Sequence, residues 1–551
     1  MSETPKSPPT VNAPTAPPGV AQGTQPAHPD LVTLKIDGQT VQVPKGTNVL
    51  EAAKLAGESI SFFCYHPGLT SPAVCRQCLV DVKGQPKLVP SCYTPVAENM
   101  EVSTLSDKVK TARAQMLEFT LVNHPVDCPI CDKAGECTLQ KMYQEWDGSP
   151  SRVDTGKVHK PKVIDLGPEI VLDAERCILC TRCIRVCDEV AHDHQLEMAF
   201  RGDREQLTTA PGKQLDNPYS LNTVDVCPVG ALTAKDFRFA MRAWELYTTP
   251  SVCAGCATGC NTEVQYAKGR LYRIVPRENQ DVNKFWMCDE GRFTYKETHT
   301  GRIAAPTIKN ETTSMEKAVA FAADRLAALR DAGAGKLLGI VLNAQATNED
   351  NFVLMKVAQA LGVEKIYLAG RPPRPERADD ILRSADVNPN TAGARILGGA
   401  KAKGTQQLNA DLVSGALKGV WILGDHVALD DEALAALKKL DVVMQSPHAN
   451  AITDNATVVL PASSWAEVDG TFTNAKGLVQ RIRVAVEPPG EARPHRELIG
   501  LIATRLGIEL GRVGSAKAVF NEMKNAVPDC AGASFGRDAL PIQLRFAQSR
   551  G

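Results

Sequence analysis

Cysteine is the residue type that stands out in this chain of 551 residues. The chain has 17 cysteines, of which 16 lie between Cys64 and Cys288, and only Cys530 lies beyond them. Many are separated by two or three residues, a spacing that is typical of metal ligands. A disulfide framework would instead spread its cysteines through a short secreted chain. The cysteines therefore predict metal centres in a reducing compartment, the cytoplasm, where thiolates stay available.

The first group has the spacing C-x10-C-x2-C-x13-C and consists of Cys64, Cys75, Cys78 and Cys92. One close pair with two outlying cysteines is typical of a [2Fe–2S] cluster, in which each iron takes two thiolates. The alternative is a structural zinc site, which would usually show two close pairs. We therefore predict a [2Fe–2S] cluster here.

The second group has the spacing H-x3-C-x2-C-x5-C and consists of His124, Cys128, Cys131 and Cys137. Three cysteines need a fourth donor, and an imidazole can ligate the iron of a cluster. The spacing alone leaves two alternatives open. His124 can be an ordinary loop histidine, with Cys187 or solvent completing the site, and a Cys₃His set can also bind zinc.

The third group is the ferredoxin-type run C-x2-C-x2-C-x3-C, formed by Cys177, Cys180, Cys183 and Cys187, with Cys227-Pro228 further along. In bacterial ferredoxins the fourth cysteine of the run serves a different cluster from the first three. We therefore predict a [4Fe–4S] cluster on Cys177, Cys180, Cys183 and Cys227. Cys187 is then a spare donor or a buried small apolar residue.

The fourth group has the spacing C-x2-C-x3-C-x27-C and consists of Cys253, Cys256, Cys260 and Cys288. Three close cysteines and one distant cysteine again favour a [4Fe–4S] cluster over zinc. The four groups use 15 cysteines and one histidine, and they leave Cys187 and Cys530. Four clusters with no evident substrate site between them are most simply interpreted as an electron-transfer chain.

The elements that must position these groups change in type along the sequence. Residues 31–44 alternate apolar and polar positions around Asp37-Gly38, which predicts a β-hairpin, and a helical spacing follows in NVLEAAKLAG. After residue 301, strands such as GVWILG alternate with amphipathic helices, which predicts an α/β domain with a mainly parallel sheet. We predict a Pro-rich disordered tail (1–30), a β-grasp [2Fe–2S] ferredoxin-like domain (31–108), three [4Fe–4S] segments (109–150, 151–245 and 246–302) and the α/β domain (303–551).

The four groups, in this order and at these spacings, resemble those of the large iron–sulfur subunit of bacterial NADH-quinone oxidoreductase, respiratory complex I. The resemblance implies one [2Fe–2S] and three [4Fe–4S] clusters, with His124 as a ligand and Cys187 unligated. It also implies that the Cys253 cluster, present only in some members, lies off the main electron route. The expected partners are the peripheral-arm subunits: the NADH- and FMN-binding flavoprotein, a ferredoxin-type subunit and the quinone-site subunits. Proton translocation would occur elsewhere in the complex.

The C-terminal half resembles the molybdopterin oxidoreductases, most clearly in VVLPASSWAEVDGTFTNAKGLVQR. In those enzymes a cysteine or selenocysteine often ligates the metal, and this chain has no cysteine between Cys288 and Cys530. We therefore expect a domain without the molybdenum cofactor, although serine or aspartate replaces the cysteine in some relatives.

Composition excludes several other classes of function. Lys and Arg number 62 against 63 for Asp and Glu, a balance that argues against a nucleic-acid-binding surface spread over the chain. No apolar stretch approaches the about 18–20 residues of a membrane span, and the N-terminal residues lack the pattern of a secretory signal. We expect a peripheral protein on the cytoplasmic side of the bacterial inner membrane, and we expect the loop RPPRPER to be solvated.

Three alternatives remain at this point. A subunit of a soluble diaphorase or hydrogenase would share the N-terminal cluster array. A catalytic molybdoenzyme, such as a formate dehydrogenase alpha chain, would contain molybdenum. A zinc-rich scaffold would contain no iron.

Overall fold

The computed structural model describes residues 30–146, 150–536 and 542–543. These residues form two compact units, one made of residues 30–60 with 78–111 and the other of residues 61–77 with 112 onward. The predicted disordered tail lies outside the described residues, apart from Asp30. The predicted boundaries of the separate cluster-binding segments remain predictions.

The first unit is a five-stranded sheet with the strand order β2-β1-β5-β3-β4. Its turn residues Asp37 and Gly38 have φ angles of 46° and 85°, the left-handed geometry of a tight hairpin turn. The hairpin predicted from sequence is therefore confirmed. The elements are β1 (Leu31–Ile36), β2 (Gln39–Pro44), helix α1 (Val49–Leu55), β3 (Leu79–Val82), β4 (Val89–Pro90) and β5 (Glu101–Ser103).

The cysteine-rich part of the second unit consists of short elements joined by long loops. Helix α2 (Asp107–Leu121) runs into this part. Strands β10, β7 and β6 form an antiparallel sheet, and β8 pairs with β9. The elements are α3 (Thr138–Trp146), β6 (Ile164–Asp165), β7 (Ile170–Leu172), α4 (Arg182–Arg185), β8 (Leu196–Ala199), β9 (Gln206–Thr209), α5 (Asn222–Val226) and β10 (Leu232–Ala234). Their buried side chains form one cluster that includes several of the cysteines.

The next region is an antiparallel sheet in which β12 pairs with both β11 and β13. The turn between β12 and β13 contains Lys268 and Gly269, both with positive φ angles. The elements are β11 (Tyr247–Val252), β12 (Asn261–Ala267), β13 (Arg270–Pro276) and α6 (Asp289–Arg292).

The C-terminal part is a doubly wound α/β domain built on an eight-stranded sheet. Six strands are parallel, in the order β18-β17-β16-β19-β20-β21, and β14 and β15 extend the β21 edge in antiparallel fashion. The chain reverses its direction of winding between β16 and β19, the position where such sheets open a ligand crevice. The strands of this sheet are β14 (Thr307–Ile308), β15 (Glu311–Thr312), β16 (Leu338–Asn343), β17 (Lys365–Ala369), β18 (Ala402–Gly404), β19 (Gly419–Leu423), β20 (Asp441–Ser446) and β21 (Val458–Pro461). Two further strands, β22 (Gly470–Thr473) and β23 (Val479–Ile482), form a separate antiparallel pair, and β24 (Ile542–Gln543) pairs with β11.

Helices cover this sheet, and side-chain caps begin several of them. Ser314 caps α7 by accepting from the Lys317 N–H, and Thr347 caps α9 by accepting from the Asp350 N–H. Trp421 of β19 is fully buried in the core between sheet and helices. The helices are α7 (Met315–Asp331), α8 (Ala334–Leu337), α9 (Asn348–Ala360), α10 (Thr391–Gly398), α11 (Thr405–Val413), α12 (Asp431–Leu437), α13 (His495–Arg505) and α14 (Ala516–Ala526). The predicted parallel α/β domain is confirmed.

Candidate metal centres

The first cysteine group is divided between the two compact units. Cys78 and Cys92 are buried in the first unit, where β3 follows Cys78 and β4 precedes Cys92. Since β3 and β4 are antiparallel neighbours, the pairing of Leu79 with Pro90 brings both cysteines to the same end of the sheet. The Ser91 hydroxyl donates to the Cys78 carbonyl at 2.8 Å and holds the two loops together.

The other two members of this group, Cys64 and Cys75, lie in the second unit. A hydrogen bond with the Cys64 thiol, together with burial, raises the pKa of the Cys75 thiol far above its ordinary value. The two thiols are therefore in direct contact. Burial and a neighbouring thiol both disfavour the ionised form, so these sulfurs become thiolates only when a cation compensates the charge, as cluster iron does.

The second group includes a half-buried histidine, His124. The Nδ1 atom of His124 is buried and has no hydrogen-bond partner. Burial is the main cause that lowers the pKa of His124 to about 4, so the ring is neutral at pH 7. A neutral ring with an unpartnered buried nitrogen fits a metal-ligating imidazole.

The three cysteines of this group lie near one another. Burial chiefly raises the pKa of Cys137 to about 11, and the charge of Cys131 adds to the effect. Cys128 likewise contributes to the raised pKa of Cys131, and it is the exposed member of the group. Arg242 donates to the carbonyl of Cys131 at 3.0 Å and thereby fixes the loop.

The four predicted ligands of the third group, Cys177, Cys180, Cys183 and Cys227, line one cavity. Burial raises the pKa of Cys177 to about 12 and that of Cys180 to about 11. In the described residues Cys187 does not line this cavity. Its thiol is hydrogen-bonded with Asn217 instead.

The backbone of the third ligand loop is strained between its cysteines. Leu179 and Thr181, on either side of Cys180, have φ angles of 55° and 60°. Such left-handed conformations are costly for residues with a side chain and occur mainly where a functional site requires them. These conformations turn the chain just before α4, which begins at Arg182, and the thiols of Cys180 and Cys183 both line the cavity.

The fourth group also lines one cavity, whose walls include Cys253, Cys256, Cys260 and Cys288. The pairing of Val252 with Asn261 places Cys253 and Cys260 across the end of the β11–β12 hairpin. The Gly255 N–H donates to the Cys253 Sγ at 3.3 Å, and the Gly291 N–H donates to the Cys288 Sγ at 3.4 Å. Donors directed at sulfur stabilise thiolates, so this site fits an anionic cluster.

Three arginines of the loop RPPRPER, which we expected to be solvated, line this fourth cavity. They are Arg371, Arg374 and Arg377. The side chain of Arg377 is only 2% exposed and its Nε lies 3.2 Å from Glu290, so the prediction of a solvated loop was wrong at this residue. Composition alone indicated surface, but the loop folds over the cysteine site from about 120 residues downstream.

A further cavity lies at the carboxyl ends of the parallel strands. It is lined by residues that follow β16, β19 and β20, among them Thr347, Asp425 and His448. Asp425 Oδ2 lies 2.5 Å from His448 Nδ1. The absence of a molybdenum cofactor from this domain stays a prediction from the sequence.

Single-metal sites and membrane spans are both absent from residues 30–146, 150–536 and 542–543. In these ranges, no three His, Cys, Asp or Glu side chains meet closely enough to hold a single metal ion. The ligands of an iron–sulfur cluster bind several different irons, so they need not all meet at one point. No helix in the same ranges has the length and apolar character needed to cross a membrane.

Five stretches of the chain match models of known families. Fold class and the presence of [2Fe–2S]- and [4Fe–4S]-binding domains are thereby confirmed. The matches are a 2Fe-2S iron-sulfur cluster binding domain at 30–107, the NADH-ubiquinone oxidoreductase-G iron-sulfur binding region at 113–150, the ferredoxin-like domain of NADH-quinone oxidoreductase subunit 3 at 167–233, the molybdopterin oxidoreductase Fe4S4 domain at 246–300 and molybdopterin oxidoreductase at 310–505.

Curated relatives carry related names. The chain is 40% identical to the G subunit of NADH-quinone oxidoreductase of Mycobacterium bovis, over 64% of this chain and 44% of that protein. It is 38% identical to the NADH-ubiquinone oxidoreductase 75 kDa subunit of Reclinomonas americana, over 65% of this chain and 53% of that protein. It is 29% identical to the mitochondrial 78 kDa subunit of Candida albicans, over 87% of this chain and 83% of that protein. The chain thus spans about half the length of the first two relatives, and the resemblance indicated by the motifs is confirmed.

A hydrogenase structure is among the solved structures that match part of the chain. It is a chain from the crystal structure of an NAD+-reducing [NiFe]-hydrogenase in the H2-reduced state, with 29% identity and a TM-score of 0.35. The match covers 38% of this chain and 91% of that chain.

Proposed function

We propose that this chain, a homologue of the large iron–sulfur subunits of NADH-quinone oxidoreductase, is an iron–sulfur electron-transfer subunit of such a complex. It carries electrons from an NADH-oxidising flavoprotein subunit toward a ferredoxin-type subunit and quinone, while proton translocation takes place in other subunits. Its place is peripheral, on the cytoplasmic side of the bacterial inner membrane, in contact with the other peripheral-arm subunits.

The observation that carries this proposal is the arrangement of the third and fourth cysteine groups. The four predicted ligands of each group line a single cavity, although one ligand of each set comes from a distant part of the chain: Cys227 in one and Cys288 in the other. Buried thiols with raised pKa values are unfavourable as free thiolates and become favourable ligands once iron is bound. Four-thiolate cavities of this kind support [4Fe–4S] binding.

The proposed ligand sets follow the four groups. They are Cys64, Cys75, Cys78 and Cys92 for a [2Fe–2S] cluster, and three [4Fe–4S] sets: His124, Cys128, Cys131 and Cys137; Cys177, Cys180, Cys183 and Cys227; and Cys253, Cys256, Cys260 and Cys288. When bound, such clusters supply reversible one-electron exchange. The residues of the chain hold the clusters, bury most of the ligands away from water, and set the local charge. No acid–base or nucleophilic residue is required for this role.

The C-terminal α/β domain, in this proposal, serves structure or subunit contacts and contains no molybdenum. Its support is the lack of a cysteine between Cys288 and Cys530. The carboxyl-end crevice contains an Asp425–His448 pair, so both side chains already satisfy each other by hydrogen bonding.

Elemental analysis of the anaerobically purified full chain tests the proposal directly. One [2Fe–2S] and three [4Fe–4S] clusters require about 14 irons per chain and as much acid-labile sulfide. We expect that value with neither zinc nor molybdenum in stoichiometric amounts. Zinc in place of iron would overturn the whole proposal, whereas stoichiometric molybdenum would overturn only the non-catalytic role of the α/β domain.

Membership of the complex needs a separate measurement. A tagged chain, expressed at its native level in its own cell, should co-purify with membrane NADH:quinone reductase activity. Co-purification with soluble hydrogen-dependent NAD+ reduction would assign the chain to a hydrogenase instead.

A further inference from the structure

Two buried arginines of helix α4 join the loop of Cys64 to the ligand loop of the third group. Arg185 donates to the carbonyl of Cys64 at 2.6 Å and to the carbonyl of Cys180 at 3.4 Å. Arg182 donates to the carbonyl of Tyr65. One short helix therefore connects the backbone beside a proposed [2Fe–2S] ligand with the backbone of a proposed [4Fe–4S] ligand.

The same helix also contacts the loop that contains the fourth ligand of the third group. Arg182 donates to the carbonyl of Val226, immediately before Cys227, at 3.0 Å. Beyond the helix, the Thr70 N–H donates to Glu189 at 2.8 Å and ties the Cys64–Cys75 loop to the same segment. These contacts lie within the second compact unit.

Neither guanidinium has an acidic partner in the described part of the chain. Arg182 is 7% exposed and Arg185 is 9% exposed. Their hydrogen bonds go to backbone carbonyls, and the Nε atom of each is buried without an acceptor. A buried charge without a counter-charge is costly, and proteins bury such charges only when an opposite charge compensates them.

The opposite charge available at this position is that of the proposed cluster ligands. The two guanidinium groups donate to the carbonyls of Cys64 and Cys180 and to that of Val226, the residue before Cys227. The two arginines are thus within electrostatic range of cysteines from both sites.

We propose that Arg182 and Arg185 are shared positioning residues for the [2Fe–2S] site and the Cys177 cubane. Their positive charges partly compensate the negative charge of both clusters and raise the reduction potentials of both. This inference rests on the proposed function. Each reduction adds one electron, and hence one negative charge, to a thiolate-ligated cluster that is already anionic. A fixed positive charge nearby stabilises the reduced form more than the oxidised form, and charge and burial are main determinants of cluster potential. Because the two positive charges lie beside both sites, they stabilise the reduced form of both clusters.

Substitutions that remove or keep the charge test this role. The variants Arg182→Gln and Arg185→Gln remove it, and Arg182→Lys and Arg185→Lys keep it while losing the planar fork that bridges the carbonyls. The matched control is Arg496→Gln, a buried arginine of the α/β domain that hydrogen-bonds the Asp469 carbonyl. The full chain is purified anaerobically, and its iron content and the midpoint potentials of both clusters are measured by redox titration with electron paramagnetic resonance detection.

We expect both midpoint potentials to fall in the Gln variants, to return most of the way in the Lys variants, and to stay at the wild-type values in Arg496→Gln. Unchanged potentials in iron-replete Gln variants would overturn the inference, and so would equal shifts in the Gln and Lys variants. If a Gln variant loses its iron, retention in the Lys variant supports the charge role and loss in both overturns it. A wild-type chain without iron would instead overturn the proposed function.

Discussion

Gly230 lies directly against the sulfur of Cys131. A Cβ atom added at Gly230 would overlap the Cys131 Sγ and would stand 3.2 Å from the Lys133 Cβ. No side chain can occupy position 230 while Cys131 keeps its place. Gly230 is three residues after Cys227. The same short segment therefore contains a predicted ligand of the third cysteine group and the glycine that packs against Cys131 of the second group.

Substituting Gly230→Ala should displace Cys131 and reduce the iron content by about four atoms per chain, the content of one cubane. The reason is steric, since the added carbon and the sulfur cannot share this space. Iron analysis and electron paramagnetic resonance of the purified variant check this. Gly156→Ala, at a glycine with nothing within 4 Å of its added Cβ, is the control and should keep all its iron. Full iron in Gly230→Ala would contradict the prediction.

The third site offers a comparison between a cysteine that lines the cavity and one that does not. Cys227→Ala should lose one cubane, because it removes one of the four thiols that line the cavity. Cys187→Ala should keep all the iron and cost only about 1 kcal/mol of stability for the lost buried sulfur. Iron content and thermal unfolding of the two variants are measured side by side. Equal iron loss in both would show that Cys187 is a ligand.

Two substitutions of His124 should distinguish its role as a ligand from the effect of its neutral charge. His124→Ala should lose the second cubane, since the fourth donor disappears. His124→Cys should retain the cluster at a lower midpoint potential, because a thiolate adds a negative charge that a neutral imidazole does not. The control is His194→Ala, at a histidine whose side chain is 58% exposed. A wild-type spectrum and potential in His124→Ala would exclude ligation by this residue.

The buried carboxyl group of Glu349 should make stability depend on pH. Burial raises its pKa to about 7, while its carboxylate oxygens accept from the N–H and hydroxyl of Thr471. Between the ordinary carboxyl pKa and about 7, the folded chain holds a proton that the unfolded chain has released. Below about pH 4.3 this group therefore makes its full contribution to the free energy of unfolding. The contribution, about 3 kcal/mol, is lost as the pH rises through about 7.

Glu349→Gln should remove this pH dependence, because the amide cannot ionise. The melting temperature of the variant should exceed that of the wild type at pH 8 and approach it at pH 5.5. Glu432→Gln, at an exposed residue in the first turn of α12, should follow the wild-type pH curve. Parallel pH curves for Glu349→Gln and the wild type would refute the prediction.

The ion pair between Arg302 and Glu467 should stabilise the start of the α/β domain. The Arg302 Nη2 donates to Glu467 Oε2 at 2.6 Å, and the side chains are 9% and 3% exposed. Arg302→Gln leaves a buried carboxylate without its partner and should lower the free energy of unfolding by about 3–5 kcal/mol. Arg325→Gln, whose arginine is 43% exposed and lies 3.6 Å from Asp441, should cost less than about 1 kcal/mol. Urea denaturation of both variants decides the matter, and equal costs would contradict it.

The local features of this protein follow from residue types that are close together in the chain. The φ angles at Asp37-Gly38 and the burial of strands such as Gly419–Leu423 follow from neighbouring residue types, so the hairpin and the parallel strands were predictable. The spacing within each cysteine group is equally local, because ligands two or three residues apart must lie on one loop. The resemblance to the iron–sulfur subunits rested on these same spacings.

Contacts between distant residues, in contrast, depend on how the elements pack. Gly230 faces Cys131 across 99 residues of chain, Arg185 reaches the Cys64 carbonyl 121 residues away, and Arg377 is buried beside the Gly255 backbone 122 residues away. Periodicity reports which face of an element is buried, whereas the partner of a buried charge depends on how the elements pack. For that reason the loop of Arg377 resembled ordinary surface in the sequence, and the arginines of α4 gave no signal there at all.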